Sequence, residues 1–504
     1  MRRPSIGLGT VSLPLDLARG LEPVERSNHE FQRRAERIQP HGLGLSVDLY
    51  NPNLFELVQA LQDQALAFGY LELFKASEAG LKEVKQRLAH VPIAFHGEGL
   101  WLTQPDFIGR PQTELELDAT LSQLNILGCQ WINHECATKQ MAGYSFGTYL
   151  PPLFTRTAAE VVAENARSVQ ARLDRDCVDS VGCAPLLLLE LPPWTYFGVG
   201  NLDVPLFFRV IAEQAPCGFV LDIGHLWTIY RYSGAWQTLS LRDYVARFLS
   251  DFPLERVVQI HLAGLAPHEQ VQALSDLPLW IDAHGASIPP LLFEMLSQLL
   301  ASDRLTNLKG LAIEVDTKEI ALIVQEFGQF HARFGGWQPA SGSNRTSEQA
   351  DARRGGQVES RPAISDAERA RLQADYRWYA QTAAGGQTVG ADSSSLEAAI
   401  DRAMLPLYRD AYLPYEILHW GGDLRMMFPE TSRLLDRSGV SLDRFVPFWF
   451  REPRVSDEPY DFFLLKIGRF VAFVHDALPW ADEVAAQEAA DLTVAYHVAC
   501  EQVG

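Results

Sequence analysis

Histidine, aspartate and glutamate stand at the ends of seven short apolar stretches of this sequence. Each stretch is strand-like, and its imidazole or carboxylate comes last or nearly last. These residue types supply the nitrogen and oxygen ligands of iron, zinc and manganese. The candidate ligands are His96, His134, Glu190, Asp222, His225, His261, Asp282, His284, Glu314 and Asp316. Because one metal ion takes three or four protein ligands, these ten candidates indicate two or three ions with bridging carboxylates.

Each of these residues also has a structural interpretation. A single strand-end carboxylate or imidazole more often caps a helix or forms an ion pair, and Asp222 and Asp316 could each cap the helix that follows. Residues at i and i+2 of a strand share a face, so Glu314 is expected on the same side as Asp316. Asp282 and His284 have the same spacing and are expected to share a face if their segment is extended. Repetition of the pattern in seven stretches favours a metal site.

Eight apolar segments alternate with helical patterns over about the first 335 residues. The candidate strands are residues 42–47, 70–74, 92–97, 130–135, 186–191, 218–223, 257–262 and 310–315. Near-continuous apolar strands separated by helices predict a parallel sheet that is buried on both faces. Eight such units predict an α/β fold, a (β/α)8 TIM-type barrel, whose chemistry lies at the carboxyl ends of the strands. The candidate ligands would therefore meet at the mouth of the barrel.

The composition of the chain changes after residue 336. Residues 337–362 are rich in Gly, Ser and charge and nearly free of large apolar side chains, which predicts a flexible linker. Ser365 and Glu368 have the spacing of a capping box, which predicts the start of a helix. Helical patterns dense in aromatic residues follow. We therefore expect a barrel domain at 1–336 and a mainly α-helical C-terminal domain at 363–504.

Composition and charge exclude several classes of function. The 504 residues carry a formal net charge of −20, which repels phosphate backbones and argues against nucleic acid as a partner. No run of about 18 apolar residues exists, and no apolar signal-peptide core follows Met1, so we expect no membrane partner. The six cysteines form no paired framework and are interpreted as reduced thiols. The expected location is cytoplasmic.

The strand-end motifs resemble those of the multinuclear non-haem iron-dependent oxidative enzymes, the family of the methanobactin biosynthesis B protein. Residues 92–100 match the family's Pro-x-x-x-His-Gly-x-Gly-Leu segment, and residues 221–225 match its Leu-Asp-Ile strand followed by Asn or His. Residues 260–264 read Ile-His-Leu-Ala-Gly. Residues 281–284 and 313–316 follow as Ile-Asp-x-His and Ile-Glu-x-Asp, in the family's order.

Two positions depart from the family pattern. On the fourth strand the family reads Ser-Glu-His-Leu or Ser-Asp-His-Leu, where this chain has Asn133, His134, Glu135 and Cys136. Either His134 takes the ligand role after a shift of one residue, or Glu135 occupies that register; we favour His134. In the family's Leu-Glu-Asn-Pro segment, Leu191 stands here in place of Asn. One amide ligand or supporting partner is therefore expected to be missing.

The resemblance, which covers residues 40–330, implies a cofactor of two or three iron ions in mixed Fe(II)/Fe(III) states, with O2 as co-substrate. It implies oxidation of a residue, commonly Cys, in a ribosomally made precursor peptide. The expected catalytic residues are His96, Glu190, Asp222 and His261. Family members work with a small separate partner protein, and residues 363–504 are interpreted as such a partner fused in cis. The alternative is a helical domain that only packs against the barrel or forms a dimer, in which case a separate partner protein is expected.

Two other functions compete with the peptide-modifying oxidase. Sugar isomerases or epimerases and phosphoesterases of the endonuclease IV kind use similar barrel rims with Zn or Mn. The acidic charge argues against DNA, and the motifs at 260–264 and 281–284 argue against the isomerases. A non-catalytic metal or peptide carrier would keep the rim residues and consume no O2.

Overall fold

The computed structural model describes residues 23–177, 182–271, 277–338, 364–385, 404–454 and 458–502. Eight parallel strands close into a barrel in which each strand pairs with its neighbours in the chain and the first pairs with the last. They are β1 (Gly42–Val47), β2 (Tyr70–Phe74), β3 (Ile93–Gly97), β4 (Trp131–Glu135), β5 (Leu186–Glu190), β6 (Gly218–Asp222), β7 (Val257–Leu262) and β8 (Gly310–Glu314). The predicted (β/α)8 TIM-type barrel is therefore confirmed, and each predicted strand agrees to within one residue at either end.

Side chains along the strands point alternately into the barrel and towards the helices around it. An apolar layer that includes Trp131, Leu188 and Val220 fills the interior at the amino-terminal end. Trp131 Nε1 donates to Gln259 Oε1 at 2.8 Å, and Gln259 Nε2 donates to Tyr70 OH at 3.1 Å. This packed layer is the floor on which the polar residues near the strand ends rest.

Helices surround the strands. In the described residues they are α1 (Pro23–Ala35), α2 (Leu54–Asp63), α3 (Glu78–Arg87), α4 (Pro111–Leu127), α5 (Arg156–Asp176), α6 (Val204–Gln214), α7 (Ile223–Tyr232), α8 (Leu241–Asp251), α9 (Pro290–Leu300) and α10 (Ile320–Phe334), with 3-10 turns at Ala235–Gln237 and Leu254–Arg256. Helix α2 is typical, because Asn53 Oδ1 accepts from the backbone N–H of Phe55 at 3.0 Å and so caps its start. Its Leu54, Leu57 and Leu61 share one buried face. Each such leucine stabilises the barrel by about 1.5–3 kcal/mol.

Short strand pairs extend the loops at the carboxyl ends of the barrel strands. Thr138–Met141 pairs with Tyr144–Leu150 in an antiparallel hairpin after β4, here called the β4 hairpin, residues 138–150. Its turn residues Ala142 and Gly143 have φ of 50° and 84°, as a two-residue turn with both central residues in the left-handed region requires. The other two pairs are Leu153–Phe154 with Val199–Gly200, and Leu265–Pro267 with Trp280–Asp282.

The C-terminal region is helical, as predicted. It contains α11 (Asp366–Ala383), α12 (Leu405–Leu407), a π-helical turn (Tyr408–Tyr412), α13 (Leu413–His419), α14 (Leu424–Met427), α15 (Pro429–Arg437), α16 (Phe445–Trp449), α17 (Phe462–Ala477) and α18 (Asp482–Gln502), with 3-10 turns at Leu442–Arg444 and Pro479–Ala481. The predicted capping box is present, because Ser365 Oγ accepts from Glu368 N and Glu368 Oε2 accepts from Ser365 N. The predicted linker at 337–362 lies, from residue 339 onward, outside the described residues.

These C-terminal helices pack against the loops at the mouth of the barrel. Thr148 Oγ1 of the β4 hairpin lies 3.3 Å from Tyr408 OH, and the indole Nε1 of Trp449 donates to the backbone oxygen of Ser145 at 2.6 Å. The ring of Tyr408 also meets that of Phe197, in the loop after β5, edge to face. The helices therefore cover part of the face on which a barrel enzyme carries out its chemistry.

Candidate metal centre

A polar layer lies above the apolar floor of the barrel, at the carboxyl ends of the strands. Its members are Glu72, His96, Asn133, Glu135, Glu190, Asp222, His261 and Glu314, and none is more than 5% exposed. The alternation of the strands places them there. Glu190, for example, is two residues beyond Leu188 of the floor layer, and therefore shares its inward face.

His261 lies at the centre of this layer. Its Nδ1 is 3.1 Å from Glu190 Oε1 and 3.2 Å from Glu314 Oε1. Its Nε2 is 3.0 Å from Glu72 Oε1, which also accepts from Ser46 Oγ at 3.0 Å. Both edges of the imidazole ring therefore face carboxylates, an arrangement in which the ring and the carboxylates are able to share metal ions.

Three groups of side chains bring their ligand atoms within 4.8 Å of one another. They are Glu190, Asp222, His261 and Glu314; Glu72, His96 and Glu314; and His96, Glu135 and Glu190. Glu190 belongs to two of the groups: its Oε1 faces His261, while its Oε2 lies 3.4 Å from His96 Nε2 and accepts a short hydrogen bond from Asn133 Nδ2. Such a carboxylate is positioned to bridge two ions.

Asp222 ends β6 and caps helix α7. Its Oδ1 accepts from the backbone N–H of His225 at 2.6 Å, so the capping role weighed for this residue occupies one carboxylate oxygen. His225 Nδ1 donates to Leu191 O at 2.6 Å. The remaining nitrogen, Nε2, lies 3.5 Å from Asp282 Oδ2 and 3.8 Å from Asp222 Oδ1. A ring held by a backbone carbonyl at one nitrogen presents its other nitrogen as a metal ligand.

His284 repeats this arrangement on the loop side of the centre. Its Nδ1 donates a short hydrogen bond to Asp316 Oδ1, and its Nε2 lies 3.1 Å from Asp282 Oδ2 and 3.2 Å from Glu314 Oε2. Asp316 therefore orients the ring and fixes its tautomer. Although the sequence pattern predicted Asp316 as a ligand, the structure places it behind His284, on the side away from Glu314.

The fourth strand offers the two alternatives, His134 and Glu135. His134 Nε2 accepts from the backbone N–H of Leu100 at 3.0 Å, and its Nδ1 lies 3.0 Å from Glu135 O, so both ring nitrogens already bind backbone. Burial lowers the pKa of His134 to about 4, which keeps the ring neutral as an acceptor. Trp131 and Glu135 face inward, whereas His134 faces outward. The sequence favoured His134, but the geometry favours Glu135.

Sequence reasoning missed two members of the polar layer, Glu72 and Asn133. Glu72 lies inside the apolar segment that was identified as a strand, and it is fully buried. A carboxylate in the middle of a buried strand is itself a signal, because it needs a buried partner. Asn133 donates to Glu190, and its inward direction follows from its position two residues after Trp131.

The unpartnered atoms of the centre test whether its residues fit metal ions. Within the described residues these buried atoms make no hydrogen bond: Glu72 Oε2, Asn133 Oδ1, Glu135 Oε2, Asp222 Oδ2, His225 Nε2, His261 Nε2, Asp282 Oδ1 and His284 Nε2. The imidazole nitrogens among them face carboxylates, as His261 Nε2 faces Glu72 Oε1 at 3.0 Å, but without hydrogen-bond geometry. Each such atom costs about 1–3 kcal/mol, and buried charges cost more. Six carboxylates and four imidazoles surround the same space. Cations would compensate the charge and satisfy the open ligand atoms, so the residues fit a multinuclear site.

The pKa shifts of the carboxylates in the centre also indicate that cations would fit there. Burial, followed by the charge of Glu190, raises the pKa of Glu135 well above its ordinary value. Burial also raises the pKa of Asp222 to about 6. Burial would raise the pKa of Glu190 as well, but the charge of His261 lowers it to about 2. Carboxylates this crowded are pushed apart in pKa, and bound cations would relieve that repulsion.

The fold and this cluster define a (β/α)8 barrel whose mouth carries side chains that are able to hold metal ions. Residues 40–332 match the family described as RiPP precursor modification enzyme MbnB/TglH/ChrH, in which RiPP denotes a ribosomally made and then modified peptide. The match includes all eight barrel strands. The chain belongs to this family, as the resemblance of its motifs predicted, and a precursor peptide is the class of substrate that the family implies.

Curated relatives match about half of the chain or less. A UPF0276 protein of Psychromonas ingrahamii is 22% identical over 278 residues, 53% of this chain and 87% of the relative. A UPF0276 protein of Paraburkholderia phytofirmans is 25% identical over 210 residues, 42% of this chain and 61% of the relative. The rest of this chain lies outside each of these two matches.

Among solved structures, endonuclease IV from Thermus thermophilus is 16% identical with a TM-score of 0.37, covering 58% of this chain and 99% of that one. D-psicose 3-epimerase is 11% identical with a TM-score of 0.34 and the same coverage, 58% and 99%. Separately, no helix in the described ranges is both long and apolar enough to cross a membrane.

Proposed function

We propose that the chain is an iron-dependent oxidase that uses O2 to modify a residue, in particular Cys, of a ribosomally made precursor peptide. The observation that carries the proposal is the convergence of six buried or partly buried carboxylates and four imidazoles, many with an open ligand atom, at the mouth of the barrel. Family membership supports the substrate class. Mixed nitrogen and oxygen ligands suit iron and leave positions open for other molecules.

In this proposal two or three iron ions are held by the side chains that face the common space. The ligands would be Glu72, His96, Glu135, Glu190, Asp222, His225, His261, Asp282, His284 and Glu314. Glu190 and Glu314 each contact more than one imidazole, which suits them to bridging positions. Glu135 takes the place for which the sequence favoured His134, and Asp316 supports His284.

Bound iron would supply the oxidising chemistry with O2 and would accept a substrate thiolate, whose pKa falls on binding a cation. The chain's own residues do the positioning. Leu191 O and Asp316 hold the Nδ1 protons of His225 and His284, so each ring presents its Nε2 towards the carboxylates. The expected catalytic residues His96 and His261 lie deep in the same layer, where the packed floor excludes water.

The helical C-terminal region is part of the proposal. We assign residues 1–336 to the oxidase domain and residues 363–504 to a partner fused in cis, which would hold the precursor peptide over the mouth. The contacts between Trp449 and Ser145 and between Tyr408 and Thr148 support this assignment, because they join the helices to the hairpin that follows β4, the strand that carries Glu135. A peptide that reaches the cluster would pass along this junction.

Metal analysis of the full-length protein tests the proposal. Protein purified without chelator should contain more than one iron per chain, and the ferrous form should develop an Fe(III) absorption and electron paramagnetic resonance change when O2 is added. Stoichiometric zinc or manganese without a response to O2 would instead support an isomerase, epimerase or phosphoesterase. Bound iron that never reacts with O2 would support a carrier.

A further inference from the structure

A cavity of about 240 Å³ lies between the β4 hairpin and the C-terminal helices. Three arginines, Arg110, Arg454 and Arg469, line it together with residues 140–145 and Leu465. The lining residues that the structure describes include no aspartate or glutamate. In a chain with a net charge of −20, three guanidinium groups around one cavity form an unusual positive site. Such a site is suited to binding an anionic ligand.

Arg469 on α17 carries the strongest sign of a missing acceptor. Its side chain is only 7% exposed, and its Nη1 is buried without a hydrogen-bond partner in the part of the chain that the structure describes. The guanidinium lies 5.6 Å from the ring centre of Trp449, which supports one face but accepts no N–H in the plane. A buried cationic donor with no acceptor is costly, so an anion would stabilise it.

The other two arginines are only partly committed. Arg454 Nη2 lies 3.4 Å from Glu452 Oε1. Arg110 Nη2 donates to Gln112 Oε1 at 3.0 Å, and its Nη1 lies 3.7 Å from Asp106 Oδ1. The carboxylates of Glu452 and Asp106 belong to exposed side chains outside the lining, where solvent weakens their attraction for the two arginines. Each arginine has five N–H donors, so both keep donors for a ligand in the cavity.

The walls of the cavity are fastened to one another. Arg454 N donates to Gly143 O at 2.7 Å, and Trp449 Nε1 donates to Ser145 O at 2.6 Å. A Cβ atom at Gly143 would approach Pro453 Cβ to 2.8 Å, so the close contact requires glycine there. A site with fixed walls loses little freedom when it binds a ligand, which favours affinity.

The cavity is joined to strand β4, one of the strands that carry the candidate ligands. Gln140 Oε1, in the cavity lining, accepts from Trp101 Nε1 at 3.2 Å. The ring of Trp101 meets that of His134 edge to face at 6.1 Å, and His134 precedes the inward-facing Glu135. One aromatic side chain therefore connects the arginine cavity to the outer side of strand β4, whose inner side carries Glu135.

We propose that this cavity is a carboxylate-binding subsite that anchors an acidic group of the precursor peptide while a nearby residue of the peptide reaches the metal centre. The proposal rests on the proposed function for the identity of the ligand as a peptide. The planar fork of arginine matches a carboxylate with two parallel hydrogen bonds. The volume admits a single side chain or chain terminus and is too small for a nucleotide. The acidic group is either an Asp or Glu side chain or the terminal carboxylate.

Calorimetry on the full-length, metal-loaded protein with three synthetic hexapeptides tests the subsite. The first contains Asp and has a blocked C-terminus, the second is its Asn counterpart with the same block, and the third is the Asn peptide with a free terminal carboxylate. We expect the Asp peptide to bind at least tenfold more tightly than the blocked Asn peptide. Gain by the third peptide alone would assign the subsite to the chain terminus, and equal gain by the first and third peptides would show that it accepts either carboxylate.

Three variants locate the binding. Arg469→Met and Arg454→Met should each weaken binding of the acidic peptide at least tenfold, while Arg437→Met, an exposed arginine of α15, should leave it unchanged. If Arg469→Met fails to fold by circular dichroism, Arg454→Met carries the test, because that side chain is 32% exposed. Undiminished affinity in Arg454→Met and in any folded Arg469→Met would overturn the proposal.

Iron content and the O2 response of the same samples keep the two proposals apart. A protein that binds iron and reacts with O2 but shows no preference for either carboxylate peptide would remove the subsite and leave the proposed function standing. If the protein lacks iron but still prefers carboxylate peptides through Arg454 and Arg469, the cavity is an anion site and the proposed oxidase function is overturned.

Discussion

The metal centre has a buried side and a side that reaches solvent. The buried side consists of strand residues such as His96, Glu190 and His261, whose exposure is 5% or less. The outer side consists of Asp282, at the end of a short strand in the loop after β7, with His284 and Asp316 beyond strand ends, and their side chains are 20–25% exposed. The buried side depends on strand register, whereas the outer side depends on loops. We infer that the buried side provides metal affinity and that the outer side meets the peptide.

The outer loops have their own support. Glu326 on α10 accepts from the backbone N–H of Ile288 at 2.7 Å and pairs with Lys318 Nζ at 2.6 Å. Ile288 belongs to the loop that carries His284, and Lys318 follows Asp316. The buried carboxylate of Glu326 therefore connects the two loops whose residues form the outer side. These loops lie beyond the hydrogen bonds between the barrel strands.

The largest expected effect is at Glu190, the residue that links two groups of the buried side. Glu190→Gln should reduce iron affinity by more than about 100-fold, because it removes a charge shared by His96 and His261. Iron content by elemental analysis and folding by circular dichroism measure the two effects separately. Glu483→Gln, at an exposed position of α18, is the matched control. Full iron content in Glu190→Gln would contradict the assignment of metal affinity to the buried side.

The next comparison sets a buried imidazole against an outer one. His261→Ala should remove most of the iron, whereas His284→Ala should lose only the part bound at the outer side, since Glu190, Asp222 and their neighbours remain. Iron per chain after dialysis, together with electron paramagnetic resonance, distinguishes the two. His475→Ala, 71% exposed, is the control. Equal losses from both variants would erase the distinction between the two sides.

A third pair of variants tests the fourth strand, within the buried side. Glu135→Gln should lose iron, while His134→Ala should keep it and lower the free energy of unfolding by about 1–3 kcal/mol, because the N–H of Leu100 loses its acceptor. Iron content and thermal unfolding of the apoprotein measure these. Iron loss in His134→Ala with retention in Glu135→Gln would place the ligand at His134, as the sequence pattern favoured.

The smallest expected effect is at Asp316, which contacts His284 and orients it. Asp316→Asn removes the charge but keeps a side chain of the same shape, and should weaken iron binding at the outer side about tenfold. The ratio of iron to chain across a chelator titration measures this, with Glu190→Gln as the reference for complete loss. A loss as large as that reference would make Asp316 a direct ligand.

Several features could be predicted from the amino-acid sequence because they depend on local pattern. The eight strands are nearly continuous apolar runs, and helices with capping residues separate them, so their predicted bounds agree with the observed ones to within one residue. The alternation of side chains along a strand also predicts which residues of β4 face the barrel interior. Counting from Trp131 places Asn133 and Glu135 inward and His134 outward, and the buried carboxylate of Glu72 follows from the same rule.

Sequence by itself determined the barrel, the family and most of the residues that gather at its mouth, because strand periodicity and strand-end position are local properties of the chain. Tertiary structure alone decided which carboxylate oxygen faces which imidazole ring. At Asp316, for example, the chain turns at Thr317 with φ of 62°, and the carboxylate accepts from His284 Nδ1. It alone brought Arg110 beside Arg454 and Arg469, because no local pattern relates residues so far apart in the chain until the helices pack on the hairpin.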